Sequence, residues 1–417
     1  MKYESKYIRL GDALLSIKTG LNPRKNFKLN VSNAKHWYIT VSELNGIAIK
    51  FLPQTDRIDD LALEMINNRS NLEIGDVLFS GTGTIGKTAI ILEKPSSWNI
   101  KEGVYALKPK KDCMNSYYLL YMLQYFCKLN TFTKLAAGST VFSVPMKVLT
   151  DMHIDLPSLV IQQRIAAVLS SLDAKIELNN RINAELEAMA KTLYDYWFVQ
   201  FDFPDKNGKP YKSSGGKMVW STELKREIPE GWDVGSLLDI ADYINGLPCQ
   251  KYRPIASDSL RVIKIKEMHE GFSSETELVR TDIPEKSIIN NGDVLFSWSA
   301  SLEVQIWTRG KGALNQHIFK VESNKYPKSF YYYQLVNYLN HFKMMAENRK
   351  TTMGHITQDH LYQSRIILPP KEIAEKLDFG ITPLFDKMIN NEIQNHQLTE
   401  LRDWLLPMLM NGQVKVQ

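Results

Sequence analysis

A chain of 417 residues, 44% apolar and 23% charged, is long enough for two or three domains with cores of ordinary size. It holds no run of about 18 apolar residues, and Met1–Lys6 open no apolar leader, so a cytoplasmic location is the expectation. Three cysteines (Cys113, Cys127, Cys249) in no close pair and eight scattered histidines exclude a disulfide framework and argue against a metal site, while a net charge of +5 permits a polyanionic partner without demonstrating one.

In chain order, basic residues first gather at Arg24, Lys25 and Lys28, which singly read as solvated surface charge. Asp76-Val-Leu-Phe79 and Ala89-Ile-Ile-Leu92 predict strands. Between them, Gly81-Thr-Gly-Thr-Ile-Gly86-Lys87-Thr88 fits the phosphate-binding P-loop pattern letter for letter. A working P-loop must open a helix whose amides face the phosphates, yet Ala89 to Pro95 is short, β-rich and ended by proline. A turn between strands that touches DNA phosphate is the better expectation. The same turn resembles the glycine motif of methyltransferases at Phe79-Ser-Gly-Thr-Gly83. The base-gripping Asp/Asn-Pro-Pro-aromatic motif is missing, because Pro369-Pro370 lies between Leu368 and Lys371. Lys108, Lys110 and Lys111 form a second basic cluster, and Tyr117 to Cys127 predicts a helix.

After Ile154-Asp-Leu-Pro157 come about forty residues of helical pattern. Read in sevens, Ile165, Leu172, Asn179, Leu186 and Leu193 fall at one seam position, and Leu169, Ile176, Asn183, Ala190 and Trp197 at the other. Pro204 to Pro210 and Ser213 to Gly216 then read as a polar, turn-rich linker. Asp205 with Glu223-Leu-Lys225 is reminiscent of the acidic-plus-lysine set of nucleases, but lies in the wrong context for carboxylates converging from adjacent strands.

From Ile228-Pro-Glu-Gly-Trp232 the chain repeats itself. Gly-Asp-Val-Leu-Phe-Ser at 75–80 recurs at 292–297, Ile-Asp-Leu-Pro at 154–157 is answered by Ile-Ile-Leu-Pro at 366–369, and Asn-Asn recurs at 179–180 and 390–391. Strand Asp293 to Phe296 and helix Phe330 to Leu339 match their earlier counterparts, and further basic residues gather at Lys251, Arg253, Arg349 and Lys350. Adding 212 to each seam number gives Leu377, Leu384, Asn391, Leu398 and Leu405, with Ile381, Met388, Asn395, Arg402 and Leu409. Both helices therefore carry two asparagines at middle layers, where polar residues fix register at a cost in stability. A rod of roughly 60 Å needs a partner helix. The fold class expected is α/β: two duplicated mixed domains held apart by two long helices that form an intramolecular antiparallel coiled coil.

The segment order, the two Gly-Asp-Val-Leu-Phe-Ser strands, the Leu-Pro before each helix and the Ile-Pro-Glu-Gly-Trp opening together resemble the specificity subunits of type I restriction-modification enzymes over essentially the whole chain. The resemblance implies target-recognition domains at 1–157 and, with the linker, 204–370, and helical spacers at 158–203 and 371–417. It also implies a subunit without a catalytic centre that reads a two-part asymmetric site in double-stranded DNA. Two methyltransferase subunits and restriction-translocase subunits would be its partners, and S-adenosylmethionine, ATP and magnesium would belong to them. DNA contacts would fall on loops holding Thr84 and Lys87, Ser139 and Thr140, and Arg349, Lys350, Thr351, Thr352 and His355, with basic residues on phosphates and the others on base edges. The loops differ between copies, Gly81–Lys87 against Trp298–Val304 and Ser139–Phe142 against Thr351–His355, as two different half-sites require. The competing readings are a coiled-coil adaptor that reads no DNA and a P-loop nucleotide-binding enzyme.

Overall fold

The computed structural model describes residues 3–24, 26–135, 142–255, 258–348 and 355–416. They form two compact units: Met1–Ile176 with Leu398–Gln417, and Glu177–Gln397. Among the described residues no helix is long and apolar enough to cross a membrane.

Unit 1 is built on a four-stranded antiparallel sheet in the order Leu14–Thr19, Val104–Pro109, Val77–Ser80, Thr88–Ile90. Beside it, His36–Ile39 pairs in parallel with Trp98–Ile100, and Ser5–Arg9 pairs antiparallel with His153–Pro157. Unit 2 repeats the plan. Its antiparallel sheet runs Asp242–Asn245, Ile318–Glu322, Val294–Ser297, Glu303–Ile306; Ser259–Ile263 pairs in parallel with Gly312–Leu314, and Asp233–Ser236 pairs with Arg365–Leu368. The helices Ser116–Lys128 and Lys328–Asn348 occupy equivalent places and include the spans predicted for them.

The repeated hexapeptide is a structural element, and each of its residues has a task. Gly75 and Gly292 take φ of +93° and +92°, which open the turn before the strand at no steric cost. Asp76 closes that turn by accepting the Glu73 amide at 2.9 Å, as Asp293 accepts that of Asn290 at 2.8 Å. Successive strand side chains point to opposite faces. Val77 and Phe79 therefore enter the core shared with Tyr118 and Leu119, while Leu78 enters a second core with Ile39 and Ile100. Val294 and Phe296 divide from Leu295 in the same way. All four residues of each strand are buried, which is why the run is uninterrupted rather than alternating.

Burial pushes the Asp76 carboxyl up to about 6, its amide partner and Lys108 opposing only in part. A carboxyl whose folded-state pKa lies above its unfolded value favours folding while protonated. That contribution is full below about pH 4 and is lost as pH rises through about 6. Asp76→Asn keeps the acceptor and removes the charge, so it should stabilise unit 1 by about 1–2 kcal/mol at pH 8 and not at pH 4. Urea unfolding at both pH values checks this; an equal effect at both would exclude ionisation as the cause.

Two helices of forty residues, Leu159–Phe198 and Lys371–Met410, each contribute to both units. In unit 1, Ile165 and Leu169 of the first share a core with Leu406 and Leu409 of the second. In unit 2, Ala190 and Tyr194 share one with Leu377, Ile381 and Phe385. The pairing is antiparallel in each, because rising numbers on one helix meet falling numbers on the other.

All four seam asparagines are buried and bonded across the pair within unit 2. Asn179 donates to Asn395 Oδ1 at 2.9 Å and to Gln394 Oε1 at 2.8 Å, Asn391 donates to Asn183 Oδ1 at 2.8 Å, and Asn395 donates to Asn180 Oδ1 at 2.9 Å. Adding 212 to 179 and subtracting it from 395 turns the pair Asn179–Asn395 into Asn391–Asn183, so a local dyad passes between the two layers.

The seam predicted from sevens needs correction where off-seam residues are buried: Phe385, Phe198 and, most clearly, Tyr194. Leu193 is 37% exposed, and Tyr194, at 1%, is buried in its place; Leu406, its counterpart, is 2% exposed. There the first helix packs on both its partner and the helix of the globular part, as the contacts of Tyr194 with Phe330 and Tyr333 show. The buried face widens beyond a narrow two-position stripe.

The segment after Phe198 is folded into unit 2. Phe203 stacks on Tyr211 at 4.7 Å and Trp232 at 5.0 Å, and Asp202 accepts from the Ser213 amide and hydroxyl. The carboxylates of the nuclease-like set do not converge: Asp205 accepts the amides of Asn207 and Lys209, while Glu223 pairs with Arg365.

Candidate nucleic-acid interface

In unit 1 the glycine-rich stretch 81–87 is the loop of the hairpin between Val77–Ser80 and Thr88–Ile90. No helix follows it, so the P-loop match lacks the N-terminal amides that would face a phosphate. Four of its amides are spent within the protein. Gly86 donates to Ser80 O at 3.0 Å, Lys87 to Ser80 Oγ at 2.8 Å, Gly81 to Gly103 O at 2.8 Å, and Gly83 to Phe142 O at 3.0 Å. The Ser80 hydroxyl in turn donates to Thr84 O at 2.6 Å.

The glycines follow from this geometry. A Cβ on Gly81 would strike the Tyr105 ring, and one on Gly86, whose φ is +97°, would lie 2.5 Å from Cys127 Sγ. Burial beneath the loop pushes the Cys127 thiol up to about 12, so it is a packing group and not a nucleophile at neutral pH. Thr84 near the tip and Lys87 at the base of the loop, opposite Ser80, are both exposed. The segment after the 136–141 stretch docks beside them: Val144 donates to Gly81 O at 2.8 Å, and the hydroxyls of Thr82 and Ser143 lie 3.2 Å apart. Ser139 and Thr140 lie outside the described residues. Phe142, next to them in the chain, is 57% exposed.

Unit 2 makes the same docking with different side chains. Ile356 donates to Trp298 O at 3.0 Å, as Val144 does to Gly81 O, so Trp298 stands in the place of Gly81. Its half-buried indole packs on His317, Phe319 and, edge to face at 5.5 Å, on His355. His355 is exposed, while Arg349, Lys350, Thr351 and Thr352 lie outside the described residues. The structure thus brings Thr84 and Lys87 to one exposed loop in unit 1, and sets His355 on the segment docked beside the equivalent loop in unit 2, in the place of Ser143. Trp298 was missed as a site residue; the offset of 217 that aligns the two hexapeptides places it opposite Gly81.

Two lysines of the second basic cluster are engaged by structural partners, Lys108 with Glu73 at 2.6 Å and Lys110 with Asp12 O at 2.8 Å, while Lys111 is exposed. One constellation was invisible in the sequence. His36 lies between Ser97 Oγ, 3.0 Å from Nδ1, and Asp60 Oδ1, 2.8 Å from Nε2. Asp60 is 70% exposed and also holds Lys35. The row ties the start of the helix Asp60–Ser70 to the strand His36–Ile39.

A family model described as "Type I restriction modification DNA specificity domain" matches residues 3–188 and 229–402. The chain is 29% identical over 355 residues to the type I restriction enzyme MjaIX specificity subunit of Methanocaldococcus jannaschii, covering 82% of this chain and 78% of that one. It is 25% identical to the HindI specificity subunit of Haemophilus influenzae, covering 64% and 70%. Among solved structures, the S subunit of a type I restriction-modification system from M. genitalium superposes with a TM-score of 0.59 at 14% identity, over 98% of this chain and 99% of that one. With two matches that together span most of its length, and one fold built twice, the chain belongs to the type I restriction-modification DNA specificity family, the non-catalytic specificity component of those enzymes.

Proposed function

We propose that the chain reads a two-part, asymmetric DNA site, one half per unit, and directs partner adenine methyltransferase and restriction subunits to it from the cytoplasm. S-adenosylmethionine, ATP and magnesium belong to those partners in this reading. The observation that carries it is the pair of hairpin loops. An identical strand scaffold presents Gly81–Lys87 in one unit and Trp298–Leu302 in the other, each with a second segment docked beside it. One scaffold bearing two different loop sets suits two different half-sites.

Sequencing of methylated adenines in cells that hold this chain and its methyltransferase partner tests the reading. A single interrupted, asymmetric motif is expected, absent with the partner alone. No new motif would leave a coiled-coil adaptor, and a palindromic motif would contradict two distinct half-sites. Lys87→Ala should weaken binding of all DNA sequences alike and lower the salt slope by about 1. His355→Ala, if the ring reaches a base edge, should relax the motif in one half only.

A further inference from the structure

Both asparagine layers are present on both long helices, at 179 and 183 on the first and at 391 and 395 on the second. They set register but cannot tell one helix from the other. The first helix laid antiparallel on the same helix of a second copy would still face Asn179 with Asn183, exchanging only the flanking acceptors Gln394 and Glu392 for Ile182 and Asn180. Something else must distinguish the two helices.

One layer does. In unit 1, Arg402 Nη1 donates to Asp173 Oδ1 at 2.6 Å, and Asp173 Oδ2 accepts the Tyr121 hydroxyl at 2.7 Å. The side chains are 14% exposed for Asp173 and 28% for Arg402. The equivalent layer of unit 2, displaced by 212, holds Phe385 for Asp173, Ala190 for Arg402 and Tyr333 for Tyr121. Phe385 and Ala190 are buried, and the Tyr333 ring lies 5.7 Å from that of Phe385. Polar in one unit, the layer is apolar in the other.

We propose that this asymmetric layer makes the first long helix choose the second, rather than its own counterpart in another copy of the chain. In a pairing of like helices at the same register, Asp173 would face the other copy's Ala190, and Arg402 the other copy's Phe385. Each such pairing breaks the Asp173–Arg402 ion pair, leaving Asp173 with the Tyr121 hydroxyl alone and Arg402 with Asp403 alone, a penalty that the cognate pair avoids. The asparagines specify how far the helices slide, and Asp173 with Arg402 specifies which helices meet.

Two differently tagged full-length copies, expressed together, provide the test. Wild-type copies are expected to purify apart. The double variant Asp173→Phe, Arg402→Ala turns the polar layer into a copy of the other one and makes the helices of both copies equivalent at that layer. Capture of one tag should then bring down at least roughly tenfold more of the other, with helical content retained. Equal co-capture for wild type and variant would overturn the proposal. Should the double variant fold poorly, charge reversal gives an independent arm. A chain with Asp173→Arg and a chain with Arg402→Asp each repel their own partner helix but complement one another. They should form a one-to-one complex when expressed together; their failure to associate above the wild-type level would equally overturn it.

Discussion

Gly246→Ala should unfold unit 2, or leave it expressed only as protease-sensitive material. A Cβ there would collide with the backbone carbonyl oxygens of Leu314 and Asn315. Those atoms cannot retreat, because Leu247 donates to Leu314 O at 2.7 Å and bridges Asn315 in parallel. Unit 1 repeats the crossing: a Cβ on Gly20 would strike the Ile100 carbonyl beside the bridge from Leu21 to Lys101. Relief of a clash between backbones requires the strands to part, at a cost of about 3 kcal/mol or more against a domain stability of about 5–15. Gly208→Ala is the control, since its φ of +75° is strained but its Cβ would meet nothing within 4 Å. That change should cost about 1 kcal/mol. Urea unfolding with limited proteolysis separates the cases, and wild-type stability for Gly246→Ala would mean that the strands do not approach as described.

The second large effect contrasts two adjacent residues. Tyr194 packs on Phe198, Phe330 and Tyr333 with ring centroids 5.2, 6.4 and 4.9 Å away, and burial holds its hydroxyl far above the usual tyrosine range. Tyr194→Ala removes an aromatic side chain from a filled core and should cost about 3–5 kcal/mol. Leu193→Ala, on the neighbouring residue that a strict seven-residue repeat would bury, should cost less than about 1 kcal/mol. Thermal unfolding of the two variants decides the register at the helix end. A larger loss for Leu193→Ala would restore the narrow seam.

That contrast shows where the sequence could be read and where it could not. The duplication, the two helices and the asparagine layers were legible because each is a local periodicity or a repeated string. The end of each seam was not, because Tyr194 is buried by helix Lys328–Asn348, more than 130 residues further on, and no periodicity on the first helix reports a third partner. The strand crossings left a signal that went unused: Gly-Leu-Asn-Pro at 20–23 is echoed by Gly-Leu-Pro at 246–248. At the interface, Thr84 and Lys87 could be placed because a glycine-rich turn between two apolar strands is exposed from its tip to its polar base. Trp298 could not be weighed in the same way, since its environment comes from Phe319 and His355, on a different strand and a later segment. Arg402 stood out as a charge in an apolar register, but its partner Asp173 was hidden, lying outside the two predicted seam positions.

The division of the long helices between units also sets a timetable for synthesis. Unit 2 is one continuous stretch of chain, whereas the core of unit 1 includes Leu406 and Leu409, which leave the ribosome after all of unit 2. The face of the first helix that bears Ile165, Ala166 and Leu169 must therefore wait for about 220 further residues, on the order of 10–40 s at about 5–20 residues per second. The first unit to begin is the last that can close. During that interval its uncovered apolar face is the nascent chain's point of exposure to chaperones and to neighbouring copies.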